Sequence, residues 1–271
     1  MQSHYLSYNN STIHYLQFGS GSKLLCCFHG YDKDSFSFLF LEKLLGEQYT
    51  IIAIDAPYHG KTKWKEGFVE NAGFVLPILK KVKDTIHIEG DKLTILGFSM
   101  GGRMALSLVQ LIPEKVERLV LIASDGFDFN FWRWLLTDTF LAKILMAHVI
   151  INPTWALGLI KKAEKFWLIK MKLSTFLTLQ LSDEEKRKRL YDQVVSNRKL
   201  KPSTTEIKQL IKEYFIEVRM MFGEEDQIVP AKNTIHFQKK LGETVKVKWV
   251  KAGHNLLNET QAQNIMDLFS Q

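Results

Sequence analysis

The stretch TILGFSMGGRMAL (94–106) sets one hydroxyl, that of Ser99, between Gly97 and Gly101. This is the G-x-S-x-G spacing of a serine nucleophile on a sharp strand-to-helix turn, where small neighbours avoid collisions. A serine hydroxyl attacks a carbonyl only when a base takes its proton and a third group orients that base. Among eight histidines, His254 in VKAGHNLL follows the last apolar run and can return to the edge of a sheet. His4, His14, His87, His148 and His236 are expected at surface or helical positions. The acid is expected between serine and histidine in chain order, and FGEEDQIVP (222–230) offers Glu224, Glu225 and Asp226. Asp226 is the choice, because Ile228, Val229 and Pro230 would anchor its loop, and Asp125 is the alternative.

Acyl transfer also needs donors for a developing oxyanion, each commonly worth about 3 kcal/mol. The backbone N–H of Met100, next to the serine, is one, and FHGYDKD (28–34) supplies the other through the N–H of Tyr31. Gly30 permits a close backbone approach there, and His29 is expected to hold the loop rather than act as a base. Phosphate-binding loops are excluded: HGKT (59–62) has Asp55 where a Walker loop needs glycine, and no G-x-G-x-x-G follows a strand.

The elements that must position these residues read as alternating strands and helices. KLLCCFHG (23–30), YTIIAIDAP (49–57), KLTILGFS (92–99) and VERLVLIAS (116–124) are short and almost wholly apolar, as strands covered on both faces are. Amphipathic stretches such as 73–87 and 104–112 lie between them, which implies crossovers and a mostly parallel sheet. HYLSYNNSTIHYLQFG (4–19) reads as an antiparallel hairpin at the sheet edge. After Ser124 no good strand appears for about 90 residues, only helical segments including 131–149 and 182–200; strands resume at 217–223 and 244–252, and a helix is expected to close the chain. The reading is one α/β domain, residues 1–126 and 217–271, with a helical insertion at 127–216 after its sixth strand.

Composition fits a globular chain: 271 residues, 46% hydrophobic and 24% charged. The polar start MQSHYLSYNN predicts no export signal, and charges break the longest apolar stretch, so no membrane span is expected. Cys26 and Cys27, adjacent on a strand, read as buried apolar residues in a reducing cytoplasmic setting. The net charge of +7 is concentrated in 127–216, with 16 basic and 9 acidic residues.

On these motifs the chain resembles the α/β-hydrolase superfamily along almost its whole length. The resemblance rests on His29-Gly30, DAPYHGKT (55–62) in place of D-x-P-G-H-G-x-S, the serine turn, the Asp226 loop and His254. Tyr58 departs from a usual glycine and Thr62 from a common serine. The resemblance implies an eight-stranded, mostly parallel sheet and a helical cap over the site. It also implies a serine hydrolase of ester, thioester or amide bonds, or of some carbon–carbon bonds; Ser99 argues against dehalogenases and epoxide hydrolases, which use aspartate. GFSMGGRMAL is similar to the serine turn of the menaquinone-pathway synthase, a pyruvate-eliminating lyase in which an arginine at the Arg103 position contacts the substrate. Phe98 there replaces the usual tyrosine, and Arg103 could instead pair with a nearby carboxylate. A catalytically silent binding protein is the remote alternative. NPTWALGLIKKAEKFWLIKMKL (152–173) reads as an amphipathic lid. Its apolar residues, Trp155 among them, either pack on the core or line an acyl pocket, with lysines near its mouth for an acidic substrate. No cofactor, metal or nucleic-acid partner is implied.

Overall fold

A computed structural model describes residues 1–127, 148–168, 171–226, 228–229, 237–238 and 241–270. Strands β1 (Gln2–Tyr8) and β2 (Ser11–Phe18) form the N-terminal hairpin. Its turn places Asn9 at φ +51°, a conformation asparagine tolerates well. Then follow β3 (Lys23–Phe28), β4 (Tyr49–Ile54), β5 (Leu93–Phe98), β6 (Val116–Ile122), β7 (Glu217–Gly223) and β8 (Val245–Val250). All eight join one sheet in the order β1-β2-β4-β3-β5-β6-β7-β8. β2 runs antiparallel to β4, and every pairing from β4 through β8 is parallel.

The central strands are mostly apolar because both faces are covered. Along β3, Leu24, Cys26 and Phe28 enter one core cluster while Leu25 and Cys27 enter the other. The period of two thus places the adjacent cysteines on opposite faces, where both are free and burial pushes both thiols up.

The chain divides into two compact units, Met1–Asp128 with Lys199–Gln271, and Phe129–Arg198. The first holds the sheet, with α1 (Leu41–Leu45), α2 (Leu76–Thr85) and α3 (Gly101–Leu111). The second holds α4 (Thr154–Lys165), α5 (Met171–Ser182) and α6 (Glu184–Ser196), the last capped by the Asp183 side chain accepting from Lys186 N–H. α7 (Thr204–Glu213) lies within the stretch expected to be the insertion, yet it groups with the first unit: Ile207 and Ile211 are wholly buried in the core cluster of Leu119 and Val218. Of the helix expected at 131–149, residues 131–147 lie outside the described residues, as do Pro230 and His236.

The closing helix is far shorter than expected. It is only α8 (Ala262–Met266), preceded by a 3-10 turn at Glu259–Gln261. The Asn258 side chain accepts from Thr260 N–H at 2.9 Å, which starts helical structure only after that residue. Among the described residues, no helix is long and apolar enough to cross a membrane.

Candidate active site

Ser99 sits between β5 and α3 at φ +52°, a left-handed conformation that serine rarely adopts. Its N–H donates to Ile122 O at 3.0 Å, and its carbonyl accepts from Gly102 and Asp125 N–H at 2.9 and 3.0 Å. Backbone bonds on both sides therefore hold the strained residue. The glycines are required by space: a Cβ on Gly97 would lie 2.7 Å from Gly102 Cα, and one on Gly101 would lie 2.1 Å from Phe28 O. Gly102, which the five-residue motif omits, is equally constrained, since a Cβ there would meet Ser124 Oγ at 1.7 Å.

From that turn Ser99 Oγ lies 2.8 Å from His254 Nε2, and His254 Nδ1 lies 2.7 Å from Asp226 Oδ2. The loop after β8 reaches this point because it presses on Gly223, where a Cβ would lie 2.3 Å from Ala252 O. Asp226 Oδ1 accepts from Ile228 and Val229 N–H at 2.8 and 3.0 Å, so the other oxygen is left for the imidazole. Burial pushes this carboxyl up, but the His254 hydrogen bond and the two backbone donors outweigh it and hold the group below its ordinary value. An ionised Asp226 only accepts, so Nδ1 carries the proton and Nε2 is free to accept from the serine hydroxyl. Glu224 and Glu225 point into solvent, whereas Asp226 is buried.

Asp125, the alternative acid, is engaged elsewhere. Its Oδ2 accepts from Arg103, with Nε at 2.8 Å, and its Oδ1 from Gly126 N–H at 2.7 Å. Arg103 thus occupies a carboxylate pair. Phe98 is buried with its ring 5.6 Å from the His254 ring. Gly30 is close to both: a Cβ there would fall 2.9 Å from Phe98 Cδ1 and 3.1 Å from Ser99 Cβ. This brings the backbone before Tyr31 up to the serine, while Met100 occupies the position just before the first residue of α3. His29 is fully buried; its Nε2 accepts from Ala56 N–H at 3.0 Å, and Nδ1–H donates to Gly30 O at 2.7 Å. Burial lowers its pKa and favours this neutral, loop-holding form. Trp155 belongs to the second unit, with its ring 6.1 Å from that of His148.

The departures from the family pattern have local explanations. Tyr58 adopts φ +63°, the conformation that makes glycine usual there. Thr62 keeps the hydroxyl of a serine: Oγ1 donates to Asp55 O at 2.7 Å and accepts from His14 N–H at 3.0 Å.

His14 is a correction to the sequence reading, which expected a surface or helical position. It is wholly buried on β2 and forms a second Ser–His–Asp line, with Ser3 Oγ 2.8 Å from Nε2 and Asp55 Oδ2 2.6 Å from Nδ1. Its partners Ser3 and Asp55 come from β1 and the end of β4, so only the strand pairing brings the three together. Among the described residues, no group of three His, Cys, Asp or Glu could hold a metal ion.

The sequence matches the family model described as alpha/beta hydrolase fold over residues 23–259. It is 32% identical over 111 residues to the uncharacterized hydrolase YugF of Bacillus subtilis, covering 40% of this chain and 38% of that protein. It is 31% identical over 103 residues to a Bacillus subtilis protein named as a 2-succinyl-6-hydroxy-2,4-cyclohexadiene-1-carboxylate synthase, covering 38% of this chain and 36% of that one. The alignments thus span well under half the length of these relatives. Among solved structures, an esterase from Thermogutta terrifontis is similar with a TM-score of 0.70 at 13% identity, over 99% of this chain and 98% of that one. A thioesterase domain from the curacin biosynthetic pathway is similar with a TM-score of 0.63 at 13% identity, over 100% and 99%. At such identities the likeness is one of fold.

Proposed function

Because this chain belongs to the alpha/beta hydrolase fold family, we propose that it is a serine hydrolase of the carboxylesterase type. Its substrate is a small, partly apolar ester or thioester, and the same chemistry extends to amides. The observation that carries this reading is the Ser99–His254–Asp226 line, with Ser99 on a strained turn.

In this reading His254 Nε2 takes the proton as Ser99 Oγ attacks the carbonyl carbon. Asp226 stabilises the imidazolium that forms and keeps the ring in the correct tautomer. The oxyanion of the tetrahedral intermediate is received by the backbone N–H groups of Met100 and Tyr31. His254 then protonates the leaving alcohol or thiol, leaving an acyl-enzyme on Ser99. Water, deprotonated by the same imidazole, attacks the acyl carbon; the proton returns to Ser99 and the acid departs. His29 and Gly30 support the loop that carries Tyr31. The setting is cytoplasmic, supported by two buried free cysteines.

A second reading is a lyase of the menaquinone-pathway type, favoured by the similarity to the Bacillus synthase. It would require Arg103 to leave Asp125 and engage an anionic substrate. A panel of p-nitrophenyl esters of graded chain length, run beside the synthase substrate, separates the two. Ester turnover lost in Ser99→Ala, without pyruvate release, is expected; pyruvate release would select the lyase.

A further inference from the structure

The end of α4, at Phe166–Leu168, is not explained by packing. After Lys165 the helix closes with Trp167 N–H donating to Glu164 O and Leu168 N–H donating to Ala163 O, both at 2.9 Å. This pair of bonds needs a residue in the left-handed region just past the helix, where glycine is usual. Trp167 fills that position at φ +57°, an outlier for so bulky a side chain. The indole gains no burial in return. Trp167 is 94% exposed, Leu168 76% and Phe166 69%. A leucine in the place of Leu168 commonly folds back on the helix end, but this one stands out in solvent.

The surrounding face has a definite chemistry. Leu159, Lys162 and Phe166 recur at helical spacing on one side of α4, with Lys161 and Lys165 beside them, all exposed. Residues 152–173 contain five lysines and one acid, Glu164, whose carboxylate accepts from Ser174 Oγ. An exposed apolar cluster of this kind marks an interaction surface. Tryptophan and phenylalanine beside lysines suit the headgroup region of a bilayer, where rings enter about 5–10 Å and ammonium groups meet acidic lipids. The exposed positive charge of Lys161, Lys162 and Lys165 selects a negative surface.

We propose that the C-terminal end of α4 docks this protein on an anionic lipid bilayer, with Phe166, Trp167 and Leu168 inserted and Lys161, Lys162 and Lys165 on the headgroups. Insertion accounts for the strain at Trp167: a residue disfavoured for folding is held where it can meet lipid. This inference is independent of which bond Ser99 cleaves.

The test uses the full chain and vesicles of phosphatidylcholine, with and without phosphatidylserine. Co-sedimentation is expected with the anionic vesicles and should weaken as salt rises. Replacing Lys161, Lys162 and Lys165 with Gln should reduce partitioning about 100-fold, from the usual contribution per basic residue. Trp167→Gly is the discriminating variant. Glycine suits the left-handed turn, so its melting temperature should equal or exceed wild type while partitioning falls about tenfold or more. Trp167→Phe should keep binding but lose quenching of tryptophan fluorescence by brominated lipid. The proposal is overturned by no partitioning, by equal partitioning onto phosphatidylcholine alone, or by full binding of Trp167→Gly. It is also overturned if the patch instead holds two copies together, seen as self-association that Trp167→Gly abolishes without any vesicle binding.

Discussion

Two Ser–His–Asp lines run through the first unit with nearly equal spacing, 2.8 and 2.7 Å at Ser99–His254–Asp226 against 2.8 and 2.6 Å at Ser3–His14–Asp55. Their surroundings differ in every respect that chemistry needs. Ser99 stands on a left-handed turn between glycines; Ser3 lies in the regular edge strand β1, paired with Leu16. The His254 side chain keeps 18% of its surface open, whereas that of His14 keeps none. Asp226 is held by its own loop, but Asp55 accepts from Ser35 and Lys61 N–H, both at 2.7 Å, and so fastens two separate loops to β2. Relay distances alone therefore do not make a nucleophile. The strained turn, the open imidazole and the adjoining loop at Gly30 support the proposed chemistry at one line; full burial and the joining of two separate loops support a fastening role for the other.

The largest effect should separate the serines. Ser99→Ala and His254→Ala are each expected to cut kcat by roughly five to six orders of magnitude, because nucleophile and base act as a unit. A fluorophosphonate should label Ser99 and leave Ser3 untouched. Labelling of Ser3 would erase the distinction drawn between the two lines.

The acids should differ next. Asp226→Asn is expected to lower kcat about 10⁴-fold with the fold retained, since the wrong imidazole tautomer is then favoured. Asp125→Asn should cost little turnover, as that carboxylate serves Arg103 and Gly126. A reversed ranking, read by steady-state kinetics, would move the orienting acid to the end of β6.

Asp55 should report in stability instead. Asp55→Ala strands the Ser35 and His14 donors in the interior and removes the Lys61 bond, and such losses cost about 3 kcal/mol or more together. At about 2–4 °C per kcal/mol for a chain approaching this size, the melting temperature should fall on the order of 10 °C. Burial pushes the Asp55 carboxyl up, but its backbone and side-chain donors prevail and its pKa is lowered. A lowered carboxylate gives stability that is present above its unfolded pKa, about 3.9, and lost as pH falls through the folded value. Acid titration of the wild type should therefore lose stability below about pH 4, and Asp55→Asn should show a flatter acid limb. An unchanged acid limb would deny Asp55 its role.

The unequal legibility of the two lines has a physical cause. Ser99 was readable because a strained turn forces small residues at fixed positions, leaving Gly97 and Gly101 as a local signature. Asp226 was readable because the apolar Ile228 and Val229 follow it and donate their N–H groups to it. The parallel sheet was readable from apolar runs that need cover on both faces, and its eight strands appear in the expected chain order. His14 was not readable, since its partners Ser3 and Asp55 meet it only through pairing of β1, β2 and β4. Nor was the placement of α7: its Ile207 and Ile211 look alike whether they pack on an insertion or on the core. The short α8 escaped notice because the Asn258 cap lies inside a run that helical periodicity alone would accept.

The smallest effect should come from Ser3, and it sharpens the comparison most directly. Its hydroxyl completes a line with good distances, so a reading based on geometry alone would assign it the weight of Ser99. It sits at an exposed position of β1, where water can replace it beside His14 Nε2. Loss of one such hydrogen bond is worth about 1 kcal/mol at most, and solvent recovers part of that. Ser3→Ala should therefore shift the melting temperature by no more than about 2–4 °C and leave kcat, KM and fluorophosphonate labelling at wild-type values. A turnover loss of tenfold or more, with an unchanged melt, would mean that His14 and Asp55 act on the reaction and are more than a fastening.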